Sequence, residues 1–326
     1  MPVASRVSGR STNIAFFLLL CTIWGTTWIG IKAGLASVPP LMLAGTRFTA
    51  AGLLMTGWAV ARHGFRIRQD DVVRLLAASV LLIAICYGLL FWGMTRINSG
   101  TAAVLELGLT PVALMAFGLL LKEEQPSLRK SVALGGGAAG LIVLFGPSAA
   151  DAWSGRTGAG TQVFGAAAVA SAAIAYSLCS VVARPLLRAY PTVLIAGAST
   201  LIGGLLLVLA SVACEGHAAL HALRGDWGAA AWAGWLFLVI GGSLVGSLIY
   251  MRLLRDIGPV RAGLYAFVSP VIAVALGAAL RGEHVTSGSI AGMVILLAAA
   301  GLALGDEHAD DGMAESRTPP HAKARA

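Results

Sequence analysis

The chain has 326 residues, 57% hydrophobic and only 12% charged, with a mean hydropathy of +0.82. A soluble domain carries roughly 25% charged residues, so this composition excludes a water-soluble enzyme, and the net charge of +8, which in a soluble protein would suggest a nucleic-acid partner, is better explained by loops facing the cytoplasm. The alternating strands of about ten residues that build a membrane barrel are absent, which leaves an all-α polytopic membrane protein.

Apolar runs fall at 13–35, 39–61, 73–95, 100–121, 131–147, 162–183, 192–214, 230–252, 259–280 and 286–304. About 20 apolar residues cross a hydrocarbon core of roughly 30 Å, so the pattern predicts ten transmembrane helices. The longest connections, 148–161 and 215–229, are too short for a folded domain. Counting Lys and Arg on alternate sides gives 17 on the side of the termini and four on the other. By the positive-inside rule both termini, 1–12 and the polar tail 305–326, face the cytoplasm of a cell (inner) membrane. The tail is expected to be disordered. The first run is longer than a signal-peptide core and is read as a retained helix.

In the first run Trp24, Trp28 and Lys32 recur every four residues and share one helix face. Arg47 lies in the outward half of the second run, and Tyr87, Phe91 and Trp92 in the third. The fourth run holds Glu106, five residues before Pro111, whose missing N–H loosens the helix. Tyr176 lies in the sixth run, Tyr250 in the eighth, and Tyr265 and Pro270 in the ninth. Ionisable side chains at membrane depth face the protein interior or a wet cavity and are functional candidates. Glu106 reads either as a proton-coupling carboxylate or substrate-ammonium ligand, or as a structural ion pair with Arg47 or Lys32. Arg47 either binds a substrate carboxylate or anchors helices, and Lys32 either lines a gate or extends to the interface. Cys21, Cys86, Cys179 and Cys214 are isolated, and His217 and His221 beside Glu215 lack further ligands; no metal or cofactor is expected.

The two halves resemble each other. "RINSGTAAVLELGLTPVALMAFGLLLKEE" from Arg96 parallels "RDIGPVRAGLYAFVSPVIAVALGAALRGE" from Arg255 at an offset of 159. Arg96 then meets Arg255, Pro111 meets Pro270, Lys122 meets Arg281, Glu124 meets Glu283 and Glu106 meets Tyr265. At an offset of 152, Trp24 meets Tyr176 and Lys32 meets Arg184. Five runs per half is an odd number, so the second copy enters the membrane from the opposite face. The reading is two inverted five-helix repeats, 13–147 and 162–304, joined by an extracytoplasmic connection at 148–161. Such repeats mark secondary transporters with a site near the midplane.

"WGTTWIGIK" in the first run, Arg47–Phe48 in the second, "SGTAAVLELGLTPV" in the fourth, Glu124 after it, and the second copy's "SPV" and Glu283 together resemble the EamA family of the drug/metabolite transporter superfamily. The resemblance covers nearly all of 13–304. It implies ten helices in two inverted repeats and a central cavity open alternately to each side. It also implies transport of small metabolites, mostly export of amino acids and related compounds. Tyr176 departs from the tryptophan common in the second copy. On this reading Trp24, Trp28, Tyr87, Trp92, Glu106, Tyr176 and Tyr265 line the cavity, Lys32 and Arg47 are gate or structural charges, and Pro111 and Pro270 are hinges. The expected partners are a small-molecule substrate and the lipid bilayer, with a homodimer left open. No GxxxxGK[ST] loop supplies an ATP-driven motor. A channel, a non-transporting sensor or scaffold, and an intramembrane enzyme are the competing classes. The last is disfavoured because all six histidines lie outside the apolar runs.

Overall fold

A computed structural model describes residues 3–64, 66–121, 126–153 and 159–316, and every regular element among them is helical. Lys122 and Glu124 of the sequence motif, and residues 317–326, lie outside the described residues. In chain order the helices are α1 (Val3–Leu35), α2 (Pro40–His63), α3 (Gln69–Met94), α4 (Ser99–Leu120), α5 (Leu128–Trp153), α6 (Ala159–Ala189) and α7 (Thr192–Ala222). They continue with α8 (Ala229–Phe237, Leu238–Val245 and Gly246–Gly263 in one run), α9 (Tyr265–Arg281) and α10 (Ser287–Ser316).

Seven of these are long and apolar enough to cross a membrane: α1, α3, α4, α6, α7, α8 and α9. In α10 the apolar stretch is shorter, Ser287–Leu302. α2 has 24 residues, but Arg47 and the threonines at 46, 49 and 56 dilute its hydropathy. Large apolar side chains such as Leu53, Phe164, Leu209, Leu248 and Val271 point outward, while Phe91, Leu105, Leu207, Leu238 and Leu296 are fully buried. The protein is a polytopic membrane protein, its apolar exterior matched to lipid.

Two expectations change. The stretch 215–229 is not simply a connection: α7 breaks at Gly216 (φ 55°, ψ −125°) and resumes to Ala222, placing His217 and His221 on a helix. Likewise α8 does not stop near residue 252 but runs to Gly263, and only Leu264 separates it from α9. Tyr265 therefore heads α9 instead of lying mid-helix. A backbone ladder need not end where the apolar pattern ends, because Arg252 and Arg255 reach polar surroundings from an unbroken helix.

The packing partners of one half mirror those of the other. α1 packs on α8 and α9, and α6 packs on α3 and α4; α2 touches α8 as α7 touches α3. The pairs α2–α7, α4–α9 and α5–α10 join equivalent helices. The correspondence is not complete, since α5 also packs on α6 while α10 packs on α4. Both α3 and α8 contain an eight-residue π-helical segment, Val80–Tyr87 and Leu238–Val245. Their starts are 158 positions apart. π-segments are rare and gather at functional sites.

Two helix starts are capped from a distance. Pro40 at the start of α2 has no N–H, and the next two donors, Leu41 N and Met42 N, reach the Glu215 carboxylate at 2.9 and 3.1 Å. At the start of α4, Ser99 N and Ser99 Oγ donate to Glu283 Oε2 at 3.0 and 2.8 Å. Gly282 makes this reach feasible: it ends α9 in the left-handed region (φ 63°), and the Glu283 N–H closes on the Gly277 carbonyl at 3.1 Å. Free N–H groups and the helix dipole both favour a carboxylate here. Glu283→Ala strands the fully buried Ser99 hydroxyl and is expected to cost about 1–3 kcal/mol. Thermal unfolding of the detergent-solubilised protein should fall by several degrees, and an unchanged midpoint would show that the cap contributes nothing.

Candidate functional site

The α1 stripe divides between two environments. Trp28 is 6% exposed and packs in the main apolar core. Trp24 turns to the second half, where its Nε1 donates to the Gly242 carbonyl at 3.0 Å in the π-segment of α8. Its ring meets Tyr265 edge-on at 4.5 Å and Tyr250 at 5.3 Å, and the two tyrosines lie 5.6 Å apart. A Cβ at Gly246 would run into the Trp24 indole nitrogen, so that glycine is the notch that admits the ring. Lys32, two turns further along α1, is half-buried and within electrostatic reach of Glu283 and Arg281.

From the other half come Tyr87, which ends the π-segment of α3, and Glu106 of α4. Glu106 lies within electrostatic reach of Cys86, Tyr87, Tyr176 and Tyr265. Thus four of the expected cavity residues, with Trp24 against Tyr265, converge from α1, α3, α4, α6 and α9. Tyr250 of α8 joins them, within electrostatic reach of Tyr176 and Tyr265. Tyr87, Tyr176 and Tyr265 are half-buried. Among the described residues no hydrogen bond engages the hydroxyls of these four tyrosines or the Glu106 carboxylate, although the Glu106 backbone carbonyl accepts from Thr110 Oγ1 at 2.7 Å.

Arg47 occupies a neighbouring position, 6% exposed. Its guanidinium lies 4.3 Å from the Phe48 ring centre and 5.6 Å from that of Phe91, with a long 3.5 Å contact to Ser243 Oγ. Ser243, in the π-segment of α8, itself donates to the Leu238 carbonyl at 3.1 Å. Neither Arg47 nor Lys32 forms an ion pair with Glu106 among the described residues, so the structural-pair reading of Glu106 has no counterpart in the geometry.

Trp92 is apart from this group. It lies at the far end of α3 under Arg96, whose guanidinium stacks 3.5 Å above its ring and donates to the Trp92 carbonyl at 3.0 Å. Pro111 and Pro270 stand inside continuous α4 and α9. Sequence reasoning left Tyr250, Phe48 and Ser243 out of the site. Tyr250 carried a signal, an aromatic on an apolar run. Ser243 carried none, because a serine mid-helix ordinarily bonds its own backbone.

Near the α1–α2 and α7–α8 connections a separate open cavity of about 490 Å³ is lined by residues including Ser37, His221, Asp226 and Trp227. Trp227 stacks on Trp232 at 4.4 Å above it. This is an aromatic rim of the kind found at membrane boundaries.

The profile of the EamA-like transporter family matches residues 11–146 and again 163–305. The uncharacterized inner membrane transporter YedA of Escherichia coli is 32% identical over 267 residues, 81% of each chain. The uncharacterized transporter YvbV of Bacillus subtilis is 25% identical over 88% of this chain and 89% of its own. A solved crystal structure, 21% identical, superposes with a TM-score of 0.58 over 90% of this chain and 96% of the other, which bears on the fold alone. A bundle of apolar helices around buried polar and aromatic groups, matched twice by one transporter profile, is a multi-pass membrane transporter. The chain belongs to the EamA-like transporter family.

Proposed function

We propose that this protein is a secondary transporter that exports small metabolites, amino acids or related compounds, by alternating access between two inverted five-helix halves. The observation that carries the reading is one electrostatically linked group on the apolar helices: the hydroxyls of Tyr87, Tyr176, Tyr250 and Tyr265 and the Glu106 carboxylate, none of them engaged in a hydrogen bond among the described residues. Buried polar groups are ordinarily satisfied by protein or water, so convergent free ones suit a polar cargo that arrives and leaves. The duplicated family match, the mirrored helix partners and the paired π-segments support two related halves. Ten spans with both termini cytoplasmic follow from the charge bias, and the odd number of spans per half supplies the inversion. Pro111 and Pro270 are the proposed flex points, with Lys32 at the outer mouth. Export fits a carboxylate shared between cargo and proton.

Counterflow in proteoliposomes tests the transport reading. Vesicles loaded with a high concentration of one member of a panel of amino acids and related metabolites should transiently accumulate tracer of that compound from a dilute external solution. Flux should be saturable and specific to some members. Absence of saturable flux across the whole panel would count against the transporter mechanism; flux that never saturates would favour a channel.

A further inference from the structure

Trp24, Tyr250 and Tyr265 stand on three helices, α1, α8 and α9, and each ring packs against the other two, with centres 4.5–5.6 Å apart. They cover an apolar cluster separate from the main core, in which Leu20, Ile249, Leu253 and Ala262 are buried and Phe16 and Phe17 pack on them. At its far side the Arg252 guanidinium lies 4.4 Å over the Phe16 ring and pairs with Asp256 at 3.4 Å. Elsewhere α1 meets α8 and α9 through backbone: a Cβ on Gly234 would lie 2.7 Å from the Gly30 carbonyl oxygen, and one on Gly25 3.1 Å from that of Ser269. At Gly246 the Trp24 ring stands between α1 and α8 instead. The equivalent seam of the first half, α6 on α3, is closed by backbone, since a Cβ on Gly93 would lie 2.7 Å from the Gly165 carbonyl oxygen. At the offset of 152, Phe16, Phe17, Leu20 and Ile23 are answered there by Ala168, Val169, Ala172 and Ala175. Side chains that fill a seam can rotate aside, whereas backbones in contact move only together. The side-chain seam also has a joint: Gly246 follows directly on the π-segment Leu238–Val245, which holds Gly241 and Gly242. A π-turn interrupts the regular ladder, and helices bend there. The open cavity of about 490 Å³ lies at the opposite end of α1 and α8, beside Leu35 and Trp227.

We propose that Trp24, Tyr250 and Tyr265 form a gate, closed in this structure, at the end of the bundle that holds the N-terminal half of α1, and that α8 beyond its π-segment is the arm that opens it. The proposal rests on the transport reading above and makes the three rings a moving closure instead of a fixed cavity wall. To open, the Trp24 indole leaves the Gly242 carbonyl and its notch at Gly246, and the arm carries Tyr250 and Leu253 away from α1. Ring contacts of this kind are individually weak, which suits a closure that parts and reforms in every cycle. The α3–α6 seam, held by backbone, moves as one body.

The test is thiol labelling of the full chain in lipid nanodiscs with a membrane-impermeant maleimide, each reacted site being mapped by mass spectrometry. Leu253→Cys places a reporter in the buried cluster, and Cys179, buried against α3, is the control in the same molecule. With the three rings intact the reporter should react slowly. Trp24→Ala should speed its labelling at least about tenfold, the effect of losing two ring contacts and one hydrogen bond, with Cys179 as slow as before. Gly246→Ala keeps every ring but drives the Trp24 indole out of its notch, and should act in the same direction even if Trp24→Ala fails to fold. Unchanged labelling of the reporter in the folded variants overturns the proposal, as does an equal rise at Cys179, the signature of a loosened core. Counterflow by the same proteins separates the gate from the transport reading. A protected reporter with saturable flux intact removes the gate and keeps the transporter. A rise confined to Leu253→Cys, with no panel compound transported, supports the closure and counts against transport.

Discussion

Gly52→Leu is expected to abolish folded, detergent-extractable protein. α2 and α7 cross on four glycines, Gly45 and Gly52 from one helix and Gly197 and Gly204 from the other. A Cβ on Gly52 would overlap the backbone N and Cα of Leu201. On Gly45 it would lie 2.7 Å from Val208 N, on Gly197 2.8 Å from Thr56 N, and on Gly204 2.5 Å from Thr49 N. In each case the obstacle is backbone, which cannot rotate aside as a side chain can. Overpacking a core costs about 1–3 kcal/mol even when side chains yield, and several carbons forced against backbone separate the helices instead. Close approach of small residues is a main source of helix association in lipid, where no hydrophobic force acts between helices. Gly52→Ala should already lower the unfolding midpoint. Gly57, on the same helix with nothing within 4 Å of an added Cβ, is the control: Gly57→Ala should be neutral or stabilising by about 0.8–1 kcal/mol of helix propensity. A monodisperse, thermally unaltered Gly52→Leu protein would mean that the helices do not cross as described.

That quartet shows how much was legible in advance. The spacing of seven residues within each glycine pair, and the shift of 152 from Gly45 to Gly197 and from Gly52 to Gly204, are both visible in the sequence. The same shift relates Trp24 to Tyr176. Among 41 glycines the pairs are inconspicuous, because a glycine's meaning depends on which backbone lies opposite. The apolar runs located the helices because lipid imposes a composition on whatever faces it. Their ends were less legible: α7 and α8 overrun their apolar runs, since a helix can continue into polar surroundings at no loss of hydrogen bonding. The π-segments left no sequence mark. An extra residue per turn is a response to tertiary packing, and Val80–Tyr87 reads as any apolar stretch. Glu283 and Glu215 were legible as charges near helix ends, but their employment on the starts of α4 and α2 is a matter of long-range placement. Glu106, Tyr87, Tyr176 and Tyr265 were picked out by asking which groups are too polar for their depth, and they lie within electrostatic reach of one another. Trp92 lies under Arg96 instead of beside them, since an aromatic residue belongs equally to a cavity, a core or a membrane rim.

Glu106→Gln is expected to separate exchange from uphill transport. In the second half Tyr265 occupies the position equivalent to Glu106 at the offset of 159, and the two lie within electrostatic reach of each other. On the proposed transport reading the site then has a carboxylate from one half and a phenol from the other. If a single carboxylate serves both the cargo's ammonium and a proton, the two exclude each other, and their competition is the coupling: one leaves as the other binds on the opposite side. Protons then run downhill while cargo moves towards the acidic compartment, which for an acidic exterior is export. With the membrane potential clamped at zero and a lumen one pH unit more acidic, one-for-one exchange gives about tenfold accumulation inside, since one pH unit is worth 1.36 kcal/mol. Glutamine preserves the size of the side chain but cannot take up a proton. Glu106→Gln should therefore still catalyse counterflow at saturating cargo while accumulation driven by the gradient falls to unity, and Glu106→Asp should keep part of it. Tenfold accumulation persisting in Glu106→Gln would assign proton movement to another group and leave Glu106 as a cargo ligand alone.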